Sequence, residues 1–538
     1  MKRLSLCLAL FLMCLLIVRE AAADIQLLDG KLRVKGRFEQ YDVFLTSLPK
    51  EDGFYRDRNL AVNQSIFALE GLFTLVDNGS WLINFQNYFR TYYDSAPDFD
   101  THLQRSFSSS DHRYKDYQTN RYDEDDWINE MYIDAYKGPL NIRVGKQVVA
   151  WSEVEMVQTI DKINPIDLRY ATPGIQPFDE IKLGLWMFRG FYNSDLPGRL
   201  IFEHIFIPGD FEQTRTPFEG CWAARKPAPG FIRNAPGQGD AVYWMMHDAS
   251  PPLSLNNYQY AFRIRGNSEV FLFKTPYVID WTLIYWNGLD TGHATFEDTE
   301  TANAALNQNA LTRALQGVAG PPLPDGRDIA KWKRYEAVGG SFQTYVPALN
   351  SVLRGEVSYE IGRKWNSIDP SRKDPSRSVN TKSVGGLGDF GKGTIERDYL
   401  SLGLTVDYPL RIPFYGERME KWGVRPYWDT TFGVFTGYWI GNVSRVWQWS
   451  NSYDQRNVTF LTLMIRGGFR HNEFTPVLRA QYNPRNFGYV SPGLSYMPGK
   501  HFRYEIGSIW FFANNPAVHR EAAVEDRDMV YTRIRYEF

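Results

Sequence analysis

The chain of 538 residues is poor in thiols, with three cysteines in all. Two of them, Cys7 and Cys14, lie in the apolar N-terminal run and are expected to leave with it, so Cys221 alone would remain. No internal disulfide can then form, and the fold must rest on its core or on hydrogen-bond ladders rather than on staples. Long apolar runs are also missing beyond the N-terminus. With a mean hydropathy of −0.40 the composition resembles that of a soluble protein, and no later stretch approaches the roughly 20 apolar residues of a spanning helix. Helical membrane proteins are thereby excluded. Strands that alternate apolar and polar residues escape hydropathy windows, so a membrane β-barrel stays open. Charge of one sign is lacking as well: the formal net charge of −2 gives no long-range field for nucleic acid. There is no Cys-x-x-Cys-His for haem, no thiol pair for zinc and no glycine-rich phosphate loop before a helix, so no cofactor is expected.

What the chain does have is aromatic weight, with 15% Phe, Trp and Tyr. Lys2 and Arg3 precede the apolar run from Leu4 to Val18, and Ala21-Ala22-Ala23 offers small residues for cleavage, so residues 1–23 read as a secretory signal peptide and 24–538 as one mature domain. Alternation and aromatic or β-branched enrichment predict about eighteen strands from Leu32 to Phe538, with sixteen the nearest alternative. Their connections alternate short and long. Asp77-Asn78-Gly79, Lys137-Gly138-Pro139 and Pro498-Gly499-Lys500 are turn-formers, whereas residues 95–126, 152–182, 209–255, 287–334 and 362–397 are long and polar. Short periplasmic turns with long outer loops belong to an all-β fold, a transmembrane antiparallel β-barrel. Two connections break the rule, a long one near Arg411 to Arg425 and a short one at Asn483 to Asn486.

The stretch Leu140 to Tyr170 concentrates the signals. Leu140, Ile142 and Val144 alternate with Asn141, Arg143 and Gly145. Lys146 then falls on the apolar side, which calls either for a bulge at Gly145 or for a snorkelling lysine. Ser152 with Glu155 reads as a capping box, and Val157, Ile160 and Ile163 follow at near-helical spacing up to Asn164-Pro165, predicting a short helix. The residues Gly145-Lys146-Gln147, Trp151-Ser152-Glu153 and Asn164-Pro165-Ile166-Asp167-Leu168 resemble the G-R-Q, W-G-E and N-P-V-D-L run of the outer-membrane family catalogued as domain of unknown function 1302, departing from it at Lys146 and Ser152. The resemblance implies an outer-membrane β-barrel, with a link to the movement of hydrophobic compounds.

Folded back into the lumen, the loop 152–182 would place Glu153, Glu155, Asp161 and Asp167 opposite Arg143 and Gln147, with Trp151 and Asn164 completing a constriction. The function expected is a channel for small or hydrophobic solutes, not an enzyme. The alternatives are a sheath or docking barrel for an envelope partner and, third, an outer-membrane hydrolase using His204, the one histidine within a strand. The terminal strand alternates Val530, Thr532, Ile534, Tyr536 and Phe538 against Tyr531, Arg533, Arg535 and Glu537. Its final aromatic resembles the signal read by the barrel-assembly machinery; lipid and lipopolysaccharide would be the other partners. A helix is expected within Thr299 to Val318. The run Asp123-Glu124-Asp125-Asp126 lacks the spaced ligands of a calcium loop and reads as a solvated face.

Overall fold

The computed structural model describes residues 25–46, 60–94, 127–154, 158–168, 175–176, 178–215, 250–272, 275–292, 295–296, 330–368, 390–443, 456–484, 487–513 and 528–538. The signal segment, Asp123–Asp126, Glu155, Cys221 and the helix expected in 299–318 lie outside them.

Period-two alternation yields long antiparallel strands: β1 (Leu32–Leu45), β2 (Leu60–Asp77), β3 (Leu82–Asp94), β4 (Ile128–Lys137), β5 (Leu140–Gln147) and β6 (Leu185–Asn193). Next come β7 (Ile201–Ile207), β8 (Gln259–Leu272), β9 (Thr275–Leu289), β10 (Arg334–Val346), β11 (Ser351–Ile361) and β12 (Tyr399–Arg411). The last six are β13 (Tyr427–Trp439), β14 (Asn457–Arg466), β15 (Phe474–Tyr482), β16 (Phe487–Tyr496), β17 (Phe502–Ala513) and β18 (Met529–Glu537). Each pairs with the next, and β18 pairs with β1 from Arg37↔Glu537 to Leu45↔Met529, so the sheet closes on itself. The count expected from the sequence is met, at eighteen barrel strands. A short strand, Ile25–Leu27, covers the edge of β1 beyond the seam. Closure leaves no unpaired edge, the condition for a sheet to sit in hydrocarbon.

The outer face is apolar because alternate residues are. Ile142, Val144, Phe188, Leu283, Leu402 and Ile534 all stand exposed on it, where lipid rather than water would cover them. Their neighbours turn inward as Arg143, Arg189, Thr282, Ser401 and Arg535, half-buried or buried. At the seam the Phe538 ring lies over Gly36, where an added Cβ would come within 2.0 Å of it. Backbone bonds from Gly36 to Phe538 (2.8 Å) and back (2.9 Å) extend the ladder to the last residue.

Gly145 does not shift the register: it pairs with Tyr132 on one side and Met187 on the other, and pairing runs on to Gln147. Its φ of +141° and a would-be Cβ only 2.2 Å from the Met131 carbonyl oxygen require glycine there. Lys146 therefore keeps the outward phase, paired with Trp186. Both exceptions to the loop rule hold, and the connection between β12 and β13 contains a five-residue helix, Glu417–Lys421.

Candidate functional site

Between β5 and β6 the chain leaves the wall and packs against inward-facing residues of distant strands. The first lobe follows from its apolar residues. Val149, Trp151, Ile160 and Ile163 bury themselves among Ile205, Ile207, Ala261, Trp286 and Ala337 of strands β7 to β10. Each large apolar side chain buried there contributes roughly 1.5–3 kcal/mol. The helix expected after Trp151 does not form in the described residues, and Glu155, the second half of the expected capping box, lies outside them. Residues 158–163 are non-helical, and the Ser152 hydroxyl donates instead to Glu356 on β11.

That carboxylate holds the lobe in place. One oxygen accepts from Ser152 Oγ (2.6 Å), Glu153 N (2.5 Å) and Val154 N (3.0 Å). The other accepts from Thr159 N (3.0 Å) and Thr159 Oγ1 (2.9 Å). Glu356 is 4% exposed, so its charge is compensated by five donors about 200 residues away in sequence rather than by water. Four residues further along the strand and on the same face, Glu360 accepts from Lys162 Nζ (2.6 Å) and from Arg363 (2.5 Å).

The second lobe crosses to the opposite wall. Ile175 packs among Tyr41, Val62, Ile509 and Tyr531 of the strands around the seam. From the four-residue helix Phe178–Ile181, Glu180 reaches Arg37 (3.0 Å) and Arg535 (3.2 Å), while its carbonyl accepts from Arg90 (2.6 Å). Burial alone would raise the Glu180 carboxyl, but Arg37, Arg535 and Arg533 hold it below the usual carboxylate range. The described residues between 148 and 184 thus touch both sides of the interior, anchored at each by ion pairs and an apolar cluster.

The residues expected to form the constriction are partly brought together. Asn164 is a hinge-pin: its Oδ1 accepts from Val149 N (2.7 Å), and its Nδ2 donates to Gln147 O (3.0 Å) and Leu183 O (2.7 Å). Gln147 is buried and donates to Met187 O (3.0 Å). Trp151 Nε1 reaches Glu203 (3.4 Å), which accepts from Arg189 and Arg263 at 2.5 Å each.

The two facing rows of charge do not exist in the form expected. Arg143 is taken by Asp134 on the neighbouring strand (2.6 Å) and lies over the Tyr132 ring, because a wall residue finds a carboxylate across the strand pair nearer than any in the loop that follows. Asp161 pairs with Lys182 (2.5 Å) inside the segment, Asp167 meets Arg215 (3.7 Å), and the Glu153 side chain is exposed. His204 faces outward and stacks on Phe262 at 4.6 Å; among the described residues no serine hydrogen-bonds to it. No cluster of three potential metal ligands occurs among the described residues.

Sequence reasoning missed Glu356. Its strand reads Glu356, Ser358, Glu360 on the polar side, as any water-facing wall would. A signal for the first lobe was present in Ile205-Phe206-Ile207, a continuous apolar run that demands cover on both faces of β7.

A closed, outwardly apolar barrel with an in-folded segment defines a transmembrane β-barrel protein. The chain belongs to the family described as a protein of unknown function, DUF1302, whose model matches residues 73–538. Among curated proteins none matches. Solved structures similar to it include Salmonella typhi OmpF in complex with daunomycin, at 10% identity and TM-score 0.41, covering 96% of this chain and 100% of that one. Acinetobacter baumannii OccAB3 is similar at 9% identity and TM-score 0.43, covering 94% and 98%. Pseudomonas aeruginosa OpdK with vanillate is similar at 8% identity and TM-score 0.40, covering 94% and 98%. These scores are low, and the barrel assignment rests on the hydrogen-bonded closure described above.

Proposed function

We propose that the protein is a channel of the bacterial outer membrane passing small or hydrophobic solutes, with residues 148–184 as its constriction. The observation that carries this reading is the grip of Glu356 on five donors of the segment, which ties it to an inward-facing residue of the wall and supports a constriction over a loop left on the rim. In this reading Trp151, Asn164 and Gln147 set the segment's course, and Glu153, Glu155, Asp161, Asp167 and Arg143 tune the polarity around it. Export uses the signal 1–23, insertion uses the assembly machinery through the strand ending at Phe538, and lipid and lipopolysaccharide surround the outer face.

Deleting Val154–Lys162 tests it in planar bilayers. A constriction predicts larger single-channel conductance. Unchanged conductance, in a deletion that still shifts its gel mobility on heating, refutes the constriction. A docking barrel is the second reading, favoured by the long β12–β13 connection, on which Phe414 is 98% and Trp422 68% exposed. A stoichiometric envelope partner that copurifies with the barrel distinguishes it.

A further inference from the structure

Opposite the lobe held by Glu356, where β13 to β18 meet their short connections, the interior retains a cavity of about 480 Å³. This is within the range of about 300–1,000 Å³ typical of small-molecule sites. Arginine dominates its wall: Arg425, Arg466, Arg479 and Arg503, against the two acids Asp429 and Glu505. The acids are already engaged. Asp429 pairs with Arg425 (3.0 Å), while Glu505 is held by Arg533 at 2.5 Å and also takes Arg503 (2.8 Å).

Two cations are left facing the cavity without an acid. Among the described residues neither Arg466 nor Arg479 has a carboxylate within ion-pair distance; Arg479 hydrogen-bonds Tyr531 and feels Glu505 from further away, while its buried Nη1 has no hydrogen-bond partner. A buried guanidinium nitrogen without an acceptor is costly, and an anion is the acceptor whose planar geometry suits it. The remainder of the lining is mixed: Ile175, from the in-folded segment, borders the cavity with Val477 and Met497, and Asn472, Thr475 and Ser495 lie among them.

We propose that this cavity is a binding site for an amphipathic organic acid, its carboxylate between Arg466 and Arg479 and its hydrocarbon body against Val477, Met497 and Ile175. The proposal rests on the channel reading for its purpose, since it names the solute class that would pause beside the constriction. It does not need that reading for its chemistry. Two guanidinium groups on one carboxylate give charge-assisted bonds, roughly twice as strong as neutral ones, so replacing the acid by its amide is expected to weaken binding ~10-fold or more.

The test uses the full-length barrel in lipid nanodiscs and calorimetric titration with 4-phenylbutyrate, its amide and 4-phenylbutylamine. The acid is expected to bind at least ~10-fold more tightly than the amide, and the amine more weakly still. In the double variant R466A/R479A the acid should fall to the level of the amide, whose affinity stays unchanged. Equal affinity for acid and amide in the unaltered protein overturns the proposal, and this comparison requires no variant to fold. So does undiminished acid binding in a heat-modifiable R466A/R479A barrel. Conductance recorded in parallel separates the two readings. Acid-selective binding without ion current removes the channel and leaves the site, whereas current without acid preference removes the site and leaves the channel.

Discussion

Replacing Glu356 by alanine should unlatch the constriction without unfolding the barrel. The carboxylate accepts from three backbone amides and two hydroxyls of residues 152–159. Hydrogen bonds to a charged group are worth about 1.5–3 kcal/mol each net, but five on one side chain are not additive, and water entering the lumen would recover part of the loss. Taken as one group, the five bonds are therefore worth about 3–4 kcal/mol net, well below their sum. At 1.4 kcal/mol per factor of ten, the released state of the first lobe gains roughly 10²- to 10³-fold in population. The barrel's own ladder is untouched, so heat-modifiable mobility should persist. Single-channel recording should show excursions to a larger conductance that the unaltered protein rarely visits. E356Q keeps one acceptor oxygen and should give an intermediate frequency. S152A/T159A removes the two hydroxyl donors yet keeps the lumen charge, so a partial effect there separates the latch from electrostatics. An E356A barrel with steady, unaltered conductance and noise would refute the reasoning.

Sidedness is checked at Asn78, whose side chain closes the β2–β3 turn by accepting from Ser80 N (3.1 Å) and Trp81 N (2.8 Å). N78C should resist an impermeant maleimide on intact cells and react once the envelope is opened; labelling of intact cells would reverse the assignment of ends. For pH, the sign at Glu180 follows from its depressed carboxyl pKa. The clamp to Arg37 and Arg535 is fully present above the unfolded carboxylate value of about 4.3 and is lost as pH falls through the lower folded value. Protease protection of residues 175–184 should therefore survive at pH 5 and fail only in stronger acid; loss of protection near neutrality would contradict the clamp.

The wall was legible in the sequence because its physics is local. Period-two alternation at Leu140–Val144 or Val530–Phe538 is set by the pleat and the two solvents on either side, so the terminal strand, expected over Met529 to Phe538, runs Met529–Glu537, while the strand expected over Leu140 to Trp151 starts at Leu140 and stops early, at Gln147. The interior was not legible, because its partners are distant. Ser152 and Glu155 carry the pattern of a helix cap, yet Ser152 is drawn to a carboxylate 204 residues further on, and no local rule weighs that competition. The same holds for Arg143: its nearest acid in space, Asp134, comes from strand pairing, not from the loop that follows it. Val149 and Trp151 were readable as apolar at inward positions, but only the apolar patch on β7 to β10 explains why they do not face water.

The seam between β18 and β1 bears on how the molecule is made. Gly36 and Phe538 are joined by backbone bonds across some five hundred residues of chain. Loop-closure entropy grows as the logarithm of that length, so this pairing is disfavoured by roughly 3–4 kcal/mol more than a ten-residue hairpin. Every other strand pair can zip to a neighbour as it arrives, but the last cannot form until the sheet has curled far enough to bring its two free borders together. Until that moment both borders expose unpaired amides and carbonyls, a template for aggregation in water and a large penalty in lipid. Assembly is therefore expected to be slow and gated at its final step, and substitutions at Gly36 should delay maturation more than they lower the endurance of the finished barrel.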